Sequence, residues 1–163
     1  MNCQQHRPDY EITTDPARID VVAAHAFLGK TYWATGIPLA TVRRAFANSV
    51  CVAAFDGDKQ VAFARAVTDR ATFAYLADVY VLEEHRGRGL SRQIVGALLA
   101  HPDLSGLRRM MLATRDAHGL YAKFGFTPLG NPARFMERHD PDVYAAGKDN
   151  ASPGADSLEA DSL

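Results

Sequence analysis

Val81-Leu82-Glu83-Glu84-His85-Arg86-Gly87-Arg88-Gly89-Leu90-Ser91 is the most informative segment of this chain, because it joins two elements of different periodicity. It ends the stretch Phe73–Leu82, whose nearly continuous apolar residues predict a central strand covered on both faces. Apolar residues then recur at helical intervals, at Leu90, Ile94, Val95, Leu98 and Leu99. The sequence therefore predicts a strand, a glycine-rich loop and a helix in succession.

The loop has the composition of a phosphate-binding site. Gly87 and Gly89 let the backbone turn its N–H groups toward one point, which the N-terminus of the following helix reinforces. Arg86, Arg88 and Arg92 add positive charge beside that point. The alternative is a solvated loop whose glycines only end the strand. The P-loop pattern and the three-glycine dinucleotide fingerprint are both absent from the sequence, so neither of those nucleotide-binding folds is indicated.

Periodicity and turn residues predict the other elements. Asp56–Lys59 forms a tight turn between two strands, and Asp116 is expected to cap a short helix. The predicted elements are strand Tyr10–Thr14, helix Ile19–Leu28 ending at Gly29, helix Pro38–Asn48, strands Val50–Phe55, Val61–Thr68 and Leu107–Ala113, helix Ala117–Phe124, and closing strands Phe126–Leu129 and Arg134–Glu137.

Composition limits the class of protein. The chain has 163 residues with a formal charge of −1, and 47% of them are hydrophobic, which is typical of one soluble domain. Near-neutral charge argues against a nucleic-acid partner. Cys3 and Cys51 lie outside any metal-binding spacing, so we expect neither a disulfide framework nor a metal site. The polar N-terminus and the lack of a long apolar run predict a cytoplasmic protein without a membrane partner.

We expect three regions along the chain. Residues 1–9 are predicted to be a flexible N-terminus, and residues 10–144 to form the domain. Residues 145–163 are rich in Ala, Gly, Ser and Asp and contain few apolar side chains. Such a segment buries too little apolar surface to fold, so it is predicted to be a disordered tail.

Two segments together resemble the GCN5-related N-acetyltransferase (GNAT) family: Val81–Ser91 with its following helix, and Leu120–Phe126 about thirty residues later. Arg86, Gly89 and Ser91 fall on the positions of that family's pyrophosphate loop, where Ser91 departs from the usual Gly or Ala. The resemblance covers roughly residues 10–144. It implies an α/β (α+β) fold with a mixed, mostly antiparallel sheet flanked by helices.

The resemblance also implies a ligand and a reaction. The ligand is acetyl-CoA as acetyl donor, without a metal, and the reaction is acetyl transfer to an amine of a small molecule or peptide. Its pantetheine arm would follow the strand end Asp78–Leu82. The implied cofactor-binding residues are Val79, Val81, Arg86, Gly87, Arg88, Gly89, Leu90, Ser91 and Arg92. Strands near the C-terminal end often pair between subunits in this family, so the resemblance is also compatible with a homodimer.

Two residues are candidates for the proton transfers. Tyr121 matches the position of a family tyrosine acid, and a phenol can protonate a departing thiolate at neutral pH. The alternative is a tyrosine packed under the cofactor. Asp78 is the one ionisable residue inside its strand, and because burial raises the pKa of a carboxylate, it is the candidate base. The alternative is a structural bond to a neighbouring loop.

The acceptor pocket is expected between the first two helices, where this family places substrate-contacting residues. Tyr32, Trp33 and Ile37 lie there, and Trp33 is the chain's single tryptophan. An aromatic loop of this kind can equally serve as a lid or a hydrophobic plug. A rival function is a non-catalytic CoA-binding sensor or scaffold of the same fold. The departure at Ser91 and the structural alternative for Asp78 both leave this function open.

Overall fold

The computed structural model describes residues 9–145. Turns of 3-10 helix occur at Pro16–Arg18, Glu83–His85, Pro102–Leu104 and Pro132–Arg134. The strands are β1 (Glu11–Thr13), β2 (Ser49–Asp56), β3 (Lys59–Thr68), β4 (Phe73–Val81) and β5 (Arg109–Met111). The α-helices are α1 (Val21–Leu28), α2 (Leu39–Ala47), α3 (Leu90–Leu99) and α4 (His118–Ala122).

The strands form one sheet in the order β1-β2-β3-β4-β5. Neighbours from β1 to β4 are antiparallel, and β4 and β5 are parallel. A parallel pair needs a crossover connection, which α3 provides. Gly57 adopts φ +59° in the β2–β3 turn, as a two-residue hairpin turn requires. The predicted mixed, mostly antiparallel sheet with flanking helices is therefore confirmed.

Helices cover both faces of the sheet. Buried residues of α3 and Tyr121 of α4 pack on one face, where Ala62, Ala64 and Ala66 of β3 also lie. Helices α1 and α2 pack on the other face. There Phe46 stacks on Phe63 with ring centroids 4.4 Å apart, and Phe27 stacks on Tyr80 at 3.9 Å. The alternation of residues along the central strands thus separates two apolar clusters.

A β-bulge interrupts β4 at Asp78. Phe63 pairs with Tyr80 and Arg65 pairs with Ala77, so β4 carries one residue more than β3 over this interval. Asp78 adopts φ +54°, a left-handed conformation that is uncommon for residues other than glycine. Beyond the bulge β4 runs without a partner from β5 within the described residues, because β5 pairs only with Phe73–Tyr75. The sheet is open at this point.

Several predicted details are wrong. Asp116 does not cap α4, because the helix begins one residue later than predicted and its N-cap residue is Ala117, which has no capping side chain. The N–H of Ala117 donates to Thr114 Oγ1 at 3.0 Å. The closing strands predicted at Phe126–Leu129 and Arg134–Glu137 do not form, since this segment finds no strand partner within the described residues.

Strand β4 is also less covered than its composition predicts. Phe73 and Tyr75 are exposed, and neither side chain packs in the apolar cluster on either face of the sheet. The predicted N-terminus and tail fall outside the described residues, apart from Asp9 and Ala145. Within residues 9–145, no helix is long and apolar enough to cross a membrane.

Truncation of Val95 tests the α3 side of the core. Val95→Ala should lower the free energy of unfolding by about 2 kcal/mol, because it removes two buried methyl groups and leaves a cavity. Val22→Ala is the matched control, since Val22 is 55% exposed on α1 and Val95 is fully buried. Urea denaturation followed by circular dichroism measures both. Equal losses in the two variants would contradict the packing of α3 on the sheet.

Candidate functional site

The glycine loop presents free backbone N–H groups to solvent. Gly87 and Gly89 adopt φ +73° and +76°, in the region that glycine occupies without strain. Gly89 is the N-cap of α3 and provides no side-chain cap, so the N–H groups of the first turn have no acceptor within the helix. Leu90 is buried and fixes the start of α3 to the core. Loop and helix dipole together form a site suited to an anion.

Three contacts hold this loop in place. The Arg86 Nε donates to Val81 O at 3.0 Å and ties the loop to the end of β4. The Tyr10 hydroxyl lies 2.9 Å from His85 Nδ1, and the Arg88 guanidinium donates to the same hydroxyl at 3.2 Å. Arg92 and the remaining guanidinium N–H groups of Arg86 and Arg88 lie at the exposed surface of the loop. The predicted loop residues therefore come together, and Ser91 is half-buried in the first turn of α3.

The glutamates beside the loop face away from it. Glu83 and Glu84 are both exposed. Glu84 pairs with Lys59 at 2.8 Å, and this hydrogen bond lowers the pKa of the Glu84 carboxyl. Surface ion pairs of this kind contribute little to stability, so the pair mainly fixes where the Glu84 side chain lies.

Asp78 lies in a network of polar side chains at the bulge. Its Oδ2 accepts from Arg65 Nε at 2.5 Å, and its Oδ1 accepts from Trp33 Nε1 at 3.2 Å. Arg65 also donates to Ser49 Oγ at 3.1 Å, and this hydroxyl donates to Ala45 O at 2.8 Å. Both side chains of the Arg65–Asp78 pair are mostly buried. The Arg65 guanidinium is the counter-charge of this mostly buried carboxylate.

The aromatic loop before α2 packs beside this network. Tyr32 is 62% exposed and Trp33 46% exposed, and their rings meet edge to face at 4.9 Å. The guanidinium of Arg115, which follows β5, lies over the Tyr32 ring at 3.8 Å. Ile37 packs instead against the cluster under α1 and α2, and its carbonyl accepts from His25 Nε2 at 2.9 Å. The structure thus joins Tyr32 and Trp33 to Asp78, whereas Ile37 belongs to the helix packing.

Tyr121 is 8% exposed and meets Phe126 edge to face at 6.0 Å. Burial raises the pKa of its hydroxyl. Its hydroxyl makes no hydrogen bond within residues 9–145. Since no fully buried side-chain N or O atom in this part of the chain lacks a hydrogen-bond partner, the Tyr121 hydroxyl must be in contact with solvent. The phenol therefore has one donor available to a ligand.

Sequence reasoning missed three positioning residues, namely Arg65, Arg115 and Tyr10. The sequence does contain a signal for Arg65, because this charged residue lies inside the apolar strand β3 just as Asp78 lies inside β4. The sequence contains no such signal for Arg115 or Tyr10, since their contacts join segments that are far apart along the chain. No group of three or more metal-binding side chains occurs in residues 9–145.

Comparison with known proteins identifies the family of this chain. The profile of the acetyltransferase (GNAT) family matches residues 20–126. The chain belongs to the GNAT family. A Gibberella zeae protein named as an acetyltransferase is 34% identical over 140 residues, which cover 72% of this chain and 78% of that protein. The family and the fold make this GNAT protein an N-acetyltransferase, as the sequence predicted.

Solved structures agree with the GNAT assignment. The crystal structure of a GNAT-family acetyltransferase from Xanthomonas campestris is 52% identical and superposes with a TM-score of 0.81, covering 85% of this chain and 98% of that one. An acetyltransferase of Clostridium acetobutylicum, solved with acetyl-CoA, has a TM-score of 0.60 at 16% identity and covers 80% and 95% of the two chains. At that identity the likeness shows the GNAT fold alone.

Alkylation tests the burial of Cys51. Its Sγ lies 3.7 Å from Phe46 O, and burial raises the pKa of the thiol to about 12. Because the thiolate is the reactive species, iodoacetamide at pH 8 should leave Cys51 unmodified in the folded protein and modify it fully in guanidinium chloride. Mass spectrometry of the Cys51 peptide measures both. Rapid labelling without denaturant would contradict the packing of β2 against α2.

Proposed function

We propose that the protein transfers an acetyl group from acetyl-CoA to an amine of a small molecule or peptide. The observation that carries the proposal is the anion-binding loop Arg86–Ser91, which directly follows the open edge of β4. A phosphate site and an unpaired strand edge in succession suit a ligand with a pyrophosphate and an amide-containing arm. Acetyl-CoA has both.

The loop residues suit the phosphates in three ways. Gly87 and Gly89 allow close approach of the backbone, and the first turn of α3 offers N–H donors with the positive end of its dipole. The guanidinium groups of Arg86, Arg88 and Arg92 supply neutralising charge. The pantetheine arm is proposed to bind, in the manner of an added strand, the edge of β4 that β5 leaves unpaired beside the bulge, around Val79 and Val81. The carbonyl of Val81 already accepts a hydrogen bond from Arg86 Nε on this edge of the site. No metal is needed for this binding.

Acetyl transfer requires proton transfers that two side chains are proposed to perform. Tyr121 gives its hydroxyl proton to the departing CoA sulfur, and because burial raises its pKa, the phenol remains a proton donor throughout the neutral range. Asp78 receives the proton that the attacking amine loses. Because both of its oxygens already accept hydrogen bonds, that proton reaches Asp78 through an intervening water. Backbone N–H groups of residues 79–81 stabilise the negative charge on the acetyl oxygen.

The proposal includes the setting in which the enzyme works. The domain is proposed to span residues 10–144 and to act in the cytoplasm without a nucleic-acid or membrane partner. The support is the near-neutral charge and the absence of disulfide or metal-binding cysteine spacing in the sequence. A homodimer is compatible with the exposure of residues 127–143.

Gly89→Glu tests the phosphate loop. The side chain adds a negative charge where the pyrophosphate is proposed to bind and strains a residue with φ +76°, so the Kd for acetyl-CoA should rise at least about 100-fold. Gly57→Glu is the matched control, since Gly57 has φ +59°, a Cβ added there would have no atom within 4 Å, and the residue lies in the distant β2–β3 turn. Isothermal titration calorimetry measures both. Unchanged affinity in Gly89→Glu would contradict the loop assignment.

Tyr121→Phe and Asp78→Asn test the proton transfers. Each should lower kcat by roughly 100- to 10,000-fold while the KM for acetyl-CoA changes little, as expected for loss of a general acid or base. Release of CoA thiol across a panel of primary amines gives the rate. Tyr75→Phe, an exposed tyrosine on β4, controls for loss of a phenol.

The asparagine variant needs its own control, because it leaves the mostly buried Arg65 without a counter-charge. Arg65→Gln/Asp78→Asn removes both charges together. A loss of kcat shared by the single and double variants identifies the missing carboxylate as its cause. Wild-type rates in both Tyr121→Phe and Asp78→Asn would contradict the catalytic roles. Binding of acetyl-CoA without any release of CoA thiol in the wild type would favour a CoA-binding sensor.

A further inference from the structure

The network around Asp78 contains two guanidinium groups and one carboxylate. The carboxylate of Asp78 and the guanidinium of Arg65 form an ion pair and cancel each other. Arg115 makes no ion pair with a carboxylate in residues 9–145, although Asp116 is its neighbour in sequence. Within the described residues, Arg115 is therefore the cation of this network that has no carboxylate partner.

The Arg115 guanidinium is held in a defined orientation by the Tyr32 ring. Its guanidinium lies over the Tyr32 ring at 3.8 Å, which holds the plane of the cation while its outward N–H groups remain available. Tyr32 contacts Trp33 edge to face at 4.9 Å, and the Trp33 indole donates to Asp78. Consecutive contacts thus fix the position of Arg115 relative to Asp78. A guanidinium held this way can bind a carboxylate or a phosphate through two parallel hydrogen bonds.

Arg115 is separate from the arginines of the phosphate loop. Arg86, Arg88 and Arg92 all follow β4 and surround the N-terminus of α3, whereas Arg115 follows β5 and contacts the loop between α1 and α2. Tyr32, its platform, is 62% exposed, and Arg115 is exposed as well. The charge of Arg115 is therefore accessible from solvent to a second substrate.

We infer that the acceptor is an amine that also carries an anionic group, a carboxylate or a phosphate, and that Arg115 binds this group. The inference rests on the proposed acetyl transfer and narrows its substrate class. In this arrangement the anionic group lies against Arg115 on the Tyr32 ring, and the amine points toward Asp78 at the open edge of β4. Arg115 would act as a specificity residue and would take no part in proton transfer.

Matched pairs of amines test the inference. Tyrosine with tyramine, histidine with histamine, and lysine with cadaverine differ by a carboxylate, and O-phosphoethanolamine with ethanolamine differs by a phosphate. In wild type, the anionic member of at least one pair should have the higher kcat/KM. Arg115→Gln should lower the kcat/KM for the anionic amine by roughly 10- to 100-fold, and it should do so by raising the KM for that amine, as expected for loss of a hydrogen-bonded charge. Which pair responds identifies the anionic group.

Three further variants sharpen the result. Arg115→Lys should retain part of the preference, because it keeps the charge without the paired donors. Tyr32→Ala should lose part of it, because the platform under the guanidinium is gone, whereas Tyr32→Phe should not. Arg43→Gln, an exposed arginine on α2, controls for the loss of one positive charge and should behave as wild type.

Different outcomes separate this inference from the proposed function. If wild type prefers the anionic member of no pair, or if Arg115→Gln leaves the kcat/KM of the anionic amines unchanged, the acceptor class is wrong and the acetyltransferase proposal stands. A raised KM for acetyl-CoA in Arg115→Gln would assign Arg115 to the cofactor and overturn the inference. If no amine is acetylated, the proposed function fails. Calorimetric titration of the CoA-bound protein with the same anionic amines then decides the inference: binding lost in Arg115→Gln supports it, and no binding overturns it.

Discussion

The ion pair between Arg65 and Asp78 is the interaction on which the site depends. Asp78 occupies a left-handed conformation in the β4 bulge, and such a conformation persists only where surrounding contacts hold it. Arg65 supplies the counter-charge of this mostly buried carboxylate, and Trp33 donates a hydrogen bond to its second oxygen. The pair therefore fixes the bulge, attaches the aromatic loop to the sheet and sets the charge of the neighbouring surface.

The bulge lies on the part of β4 where the sheet is open. Beyond Asp78, β4 still pairs with β3 but has no partner from β5 within the described residues, so its other edge is not paired with a strand. The same strand leads into the glycine loop, which Leu90 fixes to the core and which Tyr10, the residue before β1, contacts through Arg88. The unpaired edge, the glycine loop and Asp78 itself consequently lie within about fifteen consecutive residues.

The local part of this arrangement could be predicted, and the part made by distant contacts could not. The hairpin, the helices and the glycine loop follow from periodicity and turn residues that act within a few positions. The closing strands failed at Phe126–Leu129 and Arg134–Glu137 because strand formation needs a partner, and pattern alone does not provide one. Asp116 failed as a cap because α4 begins one residue later than predicted, with Ala117 in the N-cap position.

The sequence by itself determined the glycine loop before α3 and the family, since both depend on residue types at fixed short spacing. It also marked Asp78 as unusual. Only the tertiary structure decided what surrounds that residue, because Arg65, Trp33 and Arg115 reach the site from three different segments of the chain. Charge on a side chain can be read from sequence, but whether that charge is cancelled depends on which groups the fold brings within a few ångströms.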